Sequence, residues 1–220
     1  MGKIVVTQFV SVDGVSDDPA GAEGSERGGW TFALDSDGEG VRVRGKEGEE
    51  LLLAENRDAA ALLVGRNTYE FFAGFWPQQE GRPLADIINR MPKYVVSSTL
   101  EDAEWNNSTV LSGEMTEEVG RLKREIDGEI LVPGSTQLVQ TLIEHGLVDE
   151  LRLMVHPVMV GSGKRLFGEL SDKRPLRLVG TRTVGDGVAI LTYEPVRGPG
   201  QDERRGPEMT RRGSHAVGGA

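Results

Sequence analysis

The sequence predicts an α/β fold whose mixed, mostly parallel sheet is closed by an antiparallel C-terminal hairpin. Short β-branched apolar runs alternate with helical patterns through the first two-thirds of the chain, which is the signature of a parallel sheet with helical crossovers. Near the end, Gly185-Asp186-Gly187 separates two runs of strand character, a hairpin signal. The chain has 220 residues and no Cys, so a core, not a disulfide framework, must hold it. Residues 1–196 form the expected domain. Residues 197–220 are rich in Gly, Pro and Arg without periodicity and read as a disordered tail.

The elements follow in order. KIVVTQFVSV (3–12) reads as a buried strand, because β-branched residues dominate and no helical stripe appears. Residues 13–46 hold eight Gly and many acids around Trp30 and Phe32; a loop this long and polar is expected to be a lid over a site. Residues 47–57 suit a helix and AALLVG (60–65) a strand. RNTYEFFAGFW (66–76) then gathers Tyr69, Phe72, Phe75 and Trp76 on one helix face. PLADIINRM (83–91) is a short helix opened by Pro83, where the missing N–H costs nothing. YVVSS (94–98) and STVL (108–111) are strands, 116–126 a helix, EILV (129–132) a strand and STQLVQTLIEHG (135–146) a helix. DELRLMVHPVMV (149–160) alternates enough for a half-exposed strand, and 175–184 with 188–196 make the hairpin.

Composition narrows the function. The net charge is −10, which argues against nucleic acid, whose phosphates need a basic footprint. Five Arg against three acids in 197–220 leave residues 1–196 more acidic still. An anionic ligand must then be held locally, by backbone dipoles and a few placed cations. Three His, at 145, 156 and 215, are too scattered for a zinc site. No apolar run reaches the roughly 18 residues of a membrane span, and the first residues lack a secretory pattern. A cytoplasmic protein acting on a small molecule, without metal, is the expectation.

Four places could carry chemistry. In LLVGRNTYE (62–70) a strand ends at Gly65 and a helix begins with Arg66, Asn67 and Thr68. Its unpaired N–H groups and Arg66 make an anion site, although any strand–helix turn also needs a Gly and a cap. Val132-Pro133-Gly134-Ser135-Thr136-Gln137 repeats the arrangement. Two such junctions suit a dinucleotide laid across strand ends, though no G-x-G-x-x-G fingerprint is present. Ser97, Ser98 and Thr99 could bond a ribose or a 2′-phosphate, or simply turn the chain. Asp13-Gly14 ends the first strand where such folds place their crevice, and reads equally as turn and as site. Trp30 stacks on a planar ligand or packs over the sheet end. His156, before Pro157, is most simply a buried or edge histidine.

VSVDG (10–14), LLVGRNTYEFFAGFWP (62–77), KYVVSSTL (93–100) and the long block ILVPGSTQLVQTLIEHGLVDELRLMVHPVMVGSGKRLF (130–167) occur in this order. Together they resemble the dihydrofolate reductase-like family, in its branch similar to the C-terminal reductase domain of the bifunctional riboflavin-biosynthesis enzyme. The resemblance covers residues 3–195. It implies a three-layer fold that binds NADPH across the carboxyl ends of parallel strands and reduces a small heterocycle or carbonyl compound, a pterin or an aminopyrimidine ribosyl phosphate being the named options. By it, Gly65, Arg66, Asn67 and Thr68 cradle phosphate, Ser97 and Ser98 with Thr99 face the adenosine 2′-phosphate, and Gly134, Ser135, Thr136 and Gln137 lie under the pyrophosphate and nicotinamide. It also implies a homodimer through the final hairpin. Two departures stand out: Ser135 replaces a frequent second Gly, and Ser98 stands where many relatives carry Arg. Asp13 is the expected proton donor, with ordered water as the alternative, and Trp30 the expected substrate contact. A non-catalytic nucleotide-binding protein that kept the fold is the alternative function.

Overall fold

Parallel neighbours cannot be joined by a tight turn, so each needs a crossover, and helices supply most of them here. The structure, a computed structural model, describes residues 1–34, 40–42 and 44–196. The tail 197–220 lies outside the described residues. The strands are β1 (Lys3–Ser11), β2 (Phe32–Leu34), β3 (Gly40–Arg42), β4 (Ala59–Gly65), β5 (Lys93–Val96), β6 (Ser108–Leu111), β7 (Glu129–Val132), β8 (Glu150–His156), β9 (Leu176–Val184) and β10 (Val188–Pro195). The helices are α1 (Gly45–Asp58), α2 (Arg66–Phe75), α3 (Pro83–Arg90), α4 (Met115–Glu125) and α5 (Thr136–Glu144), with a 3-10 turn over Trp76–Gln79.

Eight strands form one sheet in the order β6-β5-β4-β7-β1-β8-β10-β9. All neighbours from β6 to β8 are parallel. β10 is antiparallel to both β8 and β9, so it alone runs against the rest. β1 and β7 lie mid-sheet in the register Ile4↔Ile130, Val5↔Leu131 and Val6↔Val132, and these six side chains are fully buried.

Side chains alternate across a strand, and that alternation divides the core into two layers. Ile4, Val6, Ile130 and Val132 pack with Val119 and Leu122 of α4 and Val139 and Leu142 of α5. Val5, Leu131, Leu62 and Val64 pack on the opposite face with Tyr69 of α2 and Ile88 of α3. Each fully buried aliphatic side chain contributes about 1.5–3 kcal/mol relative to exposure, so the doubly covered strands form the rigid frame.

The strand–helix crossovers expected for the first two-thirds of the chain end with α5, and β8, β9 and β10 follow one another without a helix, as the expected antiparallel ending requires. Two details differ. The stretch 13–46 contains a small antiparallel hairpin, Phe32↔Arg42 to Leu34↔Gly40, instead of an unbroken loop; strands of three residues are too short to show a period. β8 stops at His156 rather than continuing to Val160, because Pro157 has no N–H for the ladder. His156 itself is fully buried, with its Nδ1 3.1 Å from Met154 O. On the outer strand β9, only Val184 of nine residues is buried.

Candidate functional site

Pairing of β4 with β7 sets the two strand–helix junctions side by side. Ser135 caps α5 at φ 63° and ψ 79°, the left-handed region that costs a residue with a Cβ about 1–2 kcal/mol. Its hydroxyl accepts from the Gly65 N–H at 2.8 Å and donates to Thr68 Oγ1 at 2.7 Å. A Cβ on Gly65 would stand 2.7 Å from that same Oγ. A strained Ser and an unsubstituted Gly therefore lock the starts of α2 and α5 together.

These junctions form one wall of a cleft of about 1370 Å³. Gly65, Arg66, Asn67 and Thr68 line it from the β4 side, and Gly134, Ser135, Thr136 and Gln137 from the β7 side. Ser97, Ser98 and Thr99 close the end beyond β5. That volume exceeds the roughly 300–1,000 Å³ of most small-molecule sites, enough for a dinucleotide and a second ligand together.

At the β5 end Arg66 donates from Nε to Glu70 at 2.7 Å and from NH1 to Thr99 Oγ1 at 2.7 Å. Ser98 carries no charge, but the Arg66 guanidinium reaches the same hydroxyl group of residues from the neighbouring junction. Ser97 is more structural than expected: its buried Oγ accepts from the N–H groups of Thr99 and Leu100, at 3.2 and 3.0 Å, and shapes the turn. At the other end Thr136 Oγ1 lies 3.1 Å from Ser16 Oγ, tying the chain after β1 to α5.

Two expected residues lie elsewhere. Asp13 is absent from the cleft lining. Its carboxylate accepts from Ser11 Oγ at 2.6 Å, Val160 N at 3.1 Å and Gly161 N at 2.8 Å, and its own carbonyl accepts from Arg165. The Ser11 hydroxyl and the two N–H donors hold its pKa down at about 2. A carboxylate so held keeps no proton near neutrality, and its work is to staple the turn to the segment after β8. Trp30 is 8% exposed, donates from Nε1 to Asp17 O at 2.8 Å, and meets the His156 ring edge-on at 5.5 Å. With Val15 and Val160 it forms a small core, and it does not line the cleft.

The cleft instead recruits residues that the sequence did not mark as functional. Gln8 of β1 is 8% exposed, lines the cleft, and its Nε2 has no partner. Phe72, Phe75 and Trp76 form an aromatic wall, with Trp76 edge-on to Phe72 at 5.9 Å and to Phe75 at 5.1 Å. Glu55 of α1 lines the cleft while nearly buried, accepting from Thr7 Oγ1 and from Arg152 NH1, both at 3.1 Å. Arg152 also reaches Glu129 at 2.7 Å and Glu150 at 2.6 Å. One guanidinium shared among three carboxylates leaves burial dominant at Glu55, and its pKa is raised. Among the described residues no group of three or more His, Asp and Glu could hold a metal ion, and no helix is long and apolar enough to cross a membrane.

Comparison with known proteins agrees with this architecture. The family defined by the RibD C-terminal domain matches residues 2–190. The uncharacterized protein YyaP of Bacillus subtilis (strain 168) is 33% identical over 136 residues, which is 60% of this chain and 72% of that protein. The structure of a candidate riboflavin biosynthesis protein from Shewanella sp. PV-4 superposes with a TM-score of 0.65 at 20% identity, covering 89% of this chain and 99% of that one. Dihydrofolate reductase from Enterococcus faecalis, solved with NADP(H) and RAB-propyl, superposes with a TM-score of 0.51 at 15% identity, covering 88% and 96%. The fold is dihydrofolate reductase-like, with the antiparallel C-terminal strands in place.

Proposed function

This chain belongs to the RibD C-terminal domain family, and from that membership together with its cleft we propose that it is a cytoplasmic reductase that takes a hydride from NADPH and passes it to a small heterocyclic or carbonyl substrate. The observation that carries the reading is the pair of helix starts locked by Ser135, facing a cleft large enough for both partners. The chain's residues fit the cofactor. Two helix N-termini offer their free N–H groups to phosphate oxygens. Arg66 with Thr99 and Ser98 supplies the charge and hydroxyls that a 2′-phosphate needs. When bound, the cofactor supplies the hydride. The protein's contribution is placement and exclusion of water.

The aromatic wall of Phe72, Phe75 and Trp76 suits a planar acceptor. Glu55 takes the proton-holding role once expected of Asp13, because its raised pKa keeps a proton available closer to neutrality. The exposed outer hairpin, with Leu176, Leu178 and Val179 open to solvent, supports a homodimer. The test is loss of reduced-nicotinamide absorbance across a panel of dihydropteridines, aminopyrimidine ribosyl phosphates and carbonyl compounds. Turnover with one class supports the reductase. Tight NADPH binding without turnover on any would make the chain a nucleotide-binding protein that kept the fold.

A further inference from the structure

Buried donors without acceptors are rare in folded proteins, because each costs free energy that folding must offset. Gln8 Nε2 is such a donor, itself buried, on a residue that is more than nine-tenths buried and lines the cleft. Its surroundings form a seat. Gly134 lies beside it at φ +129°, and a Cβ on Gly134 would sit 3.7 Å from each of Gln8 Nε2, Thr68 Oγ1 and the Thr68 methyl carbon Cγ2. One point in space is thus flanked by both groups, and only the absence of a side chain at Gly134 keeps it open.

Thr68 is the second donor. The Gly65 N–H donates to Ser135, and Ser135 donates to Thr68 Oγ1. The Thr68 hydroxyl therefore has its own proton to give, and the chain of bonds behind it polarises that proton. Two donors facing one gap call for an oxygen acceptor. Arg66, the cation of this junction, is turned to Glu70 and Thr99, so the acceptor is a neutral carbonyl rather than a phosphate. The position selects which carbonyl. From β5, beside the Arg66–Thr99 pair, to β1, which carries Gln8, are three strand spacings, roughly 14 Å. A dinucleotide with its 2′-phosphate at Arg66 extends its ring toward Gln8.

We propose that Gln8 is a cofactor-reading residue, whose side-chain amide nitrogen, with the Thr68 hydroxyl, holds the carboxamide oxygen of the nicotinamide ring over Gly134. This rests on the NADPH reading above. It assigns to a side chain the orientation of the ring, and with it the face that presents hydride to the substrate.

The test compares NADPH with 2′-phospho-ADP-ribose, the same ligand without the nicotinamide ring, by quenching of tryptophan fluorescence. Gln8→Leu is expected to weaken NADPH about tenfold, the size of one hydrogen bond, and to leave 2′-phospho-ADP-ribose unchanged. The apo variant is expected to melt at or above the wild-type temperature, because a buried orphan has been removed. Gln8→Glu, close in shape but without the donor, should also lose NADPH selectively. Wild-type protein gives a reading that needs no variant: the acetylpyridine analogue of NADPH keeps the carbonyl oxygen and lacks the amide nitrogen, and should bind as NADPH does. Equal NADPH affinity in Gln8→Leu, equal loss of both ligands, or rejection of the acetylpyridine analogue would each overturn the assignment. Wild-type protein that binds neither ligand overturns the cofactor reading itself, a result distinct from all of these.

Discussion

Ser135 and Thr68 share a 2.7 Å hydroxyl–hydroxyl hydrogen bond between the start of α5 and the first turn of α2. The bond joins two crossovers far apart in sequence, and it holds the floor of the cleft at a fixed spacing. Because Ser135 achieves it at φ 63°, the contact and the strain are two sides of one arrangement.

Replacing Ser135 separates them. Ser135→Ala keeps the left-handed backbone and strands the Gly65 N–H, so it is expected to destabilise by about 1–3 kcal/mol. Ser135→Gly loses the same bonds but relieves roughly 1 kcal/mol of strain, and should fall between Ala and wild type. Urea unfolding midpoints check the order. A Gly variant less stable than the Ala variant would contradict it.

Arg66 is predicted to set the choice between the two nicotinamide cofactors. Arg66→Met should weaken NADPH about tenfold or more, because a charge-assisted contact to phosphate is lost, and should leave NADH nearly unchanged. Parallel titrations of both cofactors measure it, and an equal loss for both would remove Arg66 from the 2′-phosphate site.

Glu55 gives the pH dependence. Burial raises its pKa, so a proton-donating Glu55 acts in its protonated form and turnover falls as pH rises through that value. Glu55→Gln should lower the rate by roughly 10²-fold or more and abolish that limb of the profile. The stability linked to Glu55 has the same sign: it is present at low pH and is lost as pH rises through the raised pKa. A wild-type profile retained in Glu55→Gln would assign the proton to another group.

Asp13 behaves in the opposite sense. Its pKa is held near 2, below the ordinary 3.8, so its stabilising contribution is complete above about pH 4 and is lost as pH falls toward 2. Asp13→Asn should leave neutral-pH turnover intact. The difference in melting temperature between wild type and variant should shrink across that acid window. A large loss of turnover in Asp13→Asn would return Asp13 to the mechanism.

Much of the frame was legible because its period is strong. Val5 and Leu131 on one face, with Ile4 and Ile130 on the other, come from runs apolar at every position, as a doubly covered strand requires. Both glycine junctions were legible too, since Gly65 and Gly134 each stand where a strand hands over to a helix. What the sequence could not show is which groups tertiary packing brings together. Trp30 reads as a ligand-stacking ring or as packing over the sheet end, and the sequence could not show that Val15, Val160 and His156 enclose it. Asp13 stands at a strand end suited to a site, but its partners Val160 and Gly161 lie almost 150 residues away. Gln8 hides inside an apolar strand and Glu55 inside an acidic helix. Only the alternation that turns Gln8 to the same face as the cleft could have hinted at its role.

The central claim is that this cleft holds NADPH. Titration of the protein with NADPH and then NADH, followed by thermal unfolding and by quenching of its three tryptophans, tests it most directly. A ligand at about 100 times its Kd stabilises by about 2.7 kcal/mol, so a saturable rise in Tm is expected, larger with NADPH than with NADH. No shift and no quenching with either cofactor would contradict the account, leaving the fold without its reductase.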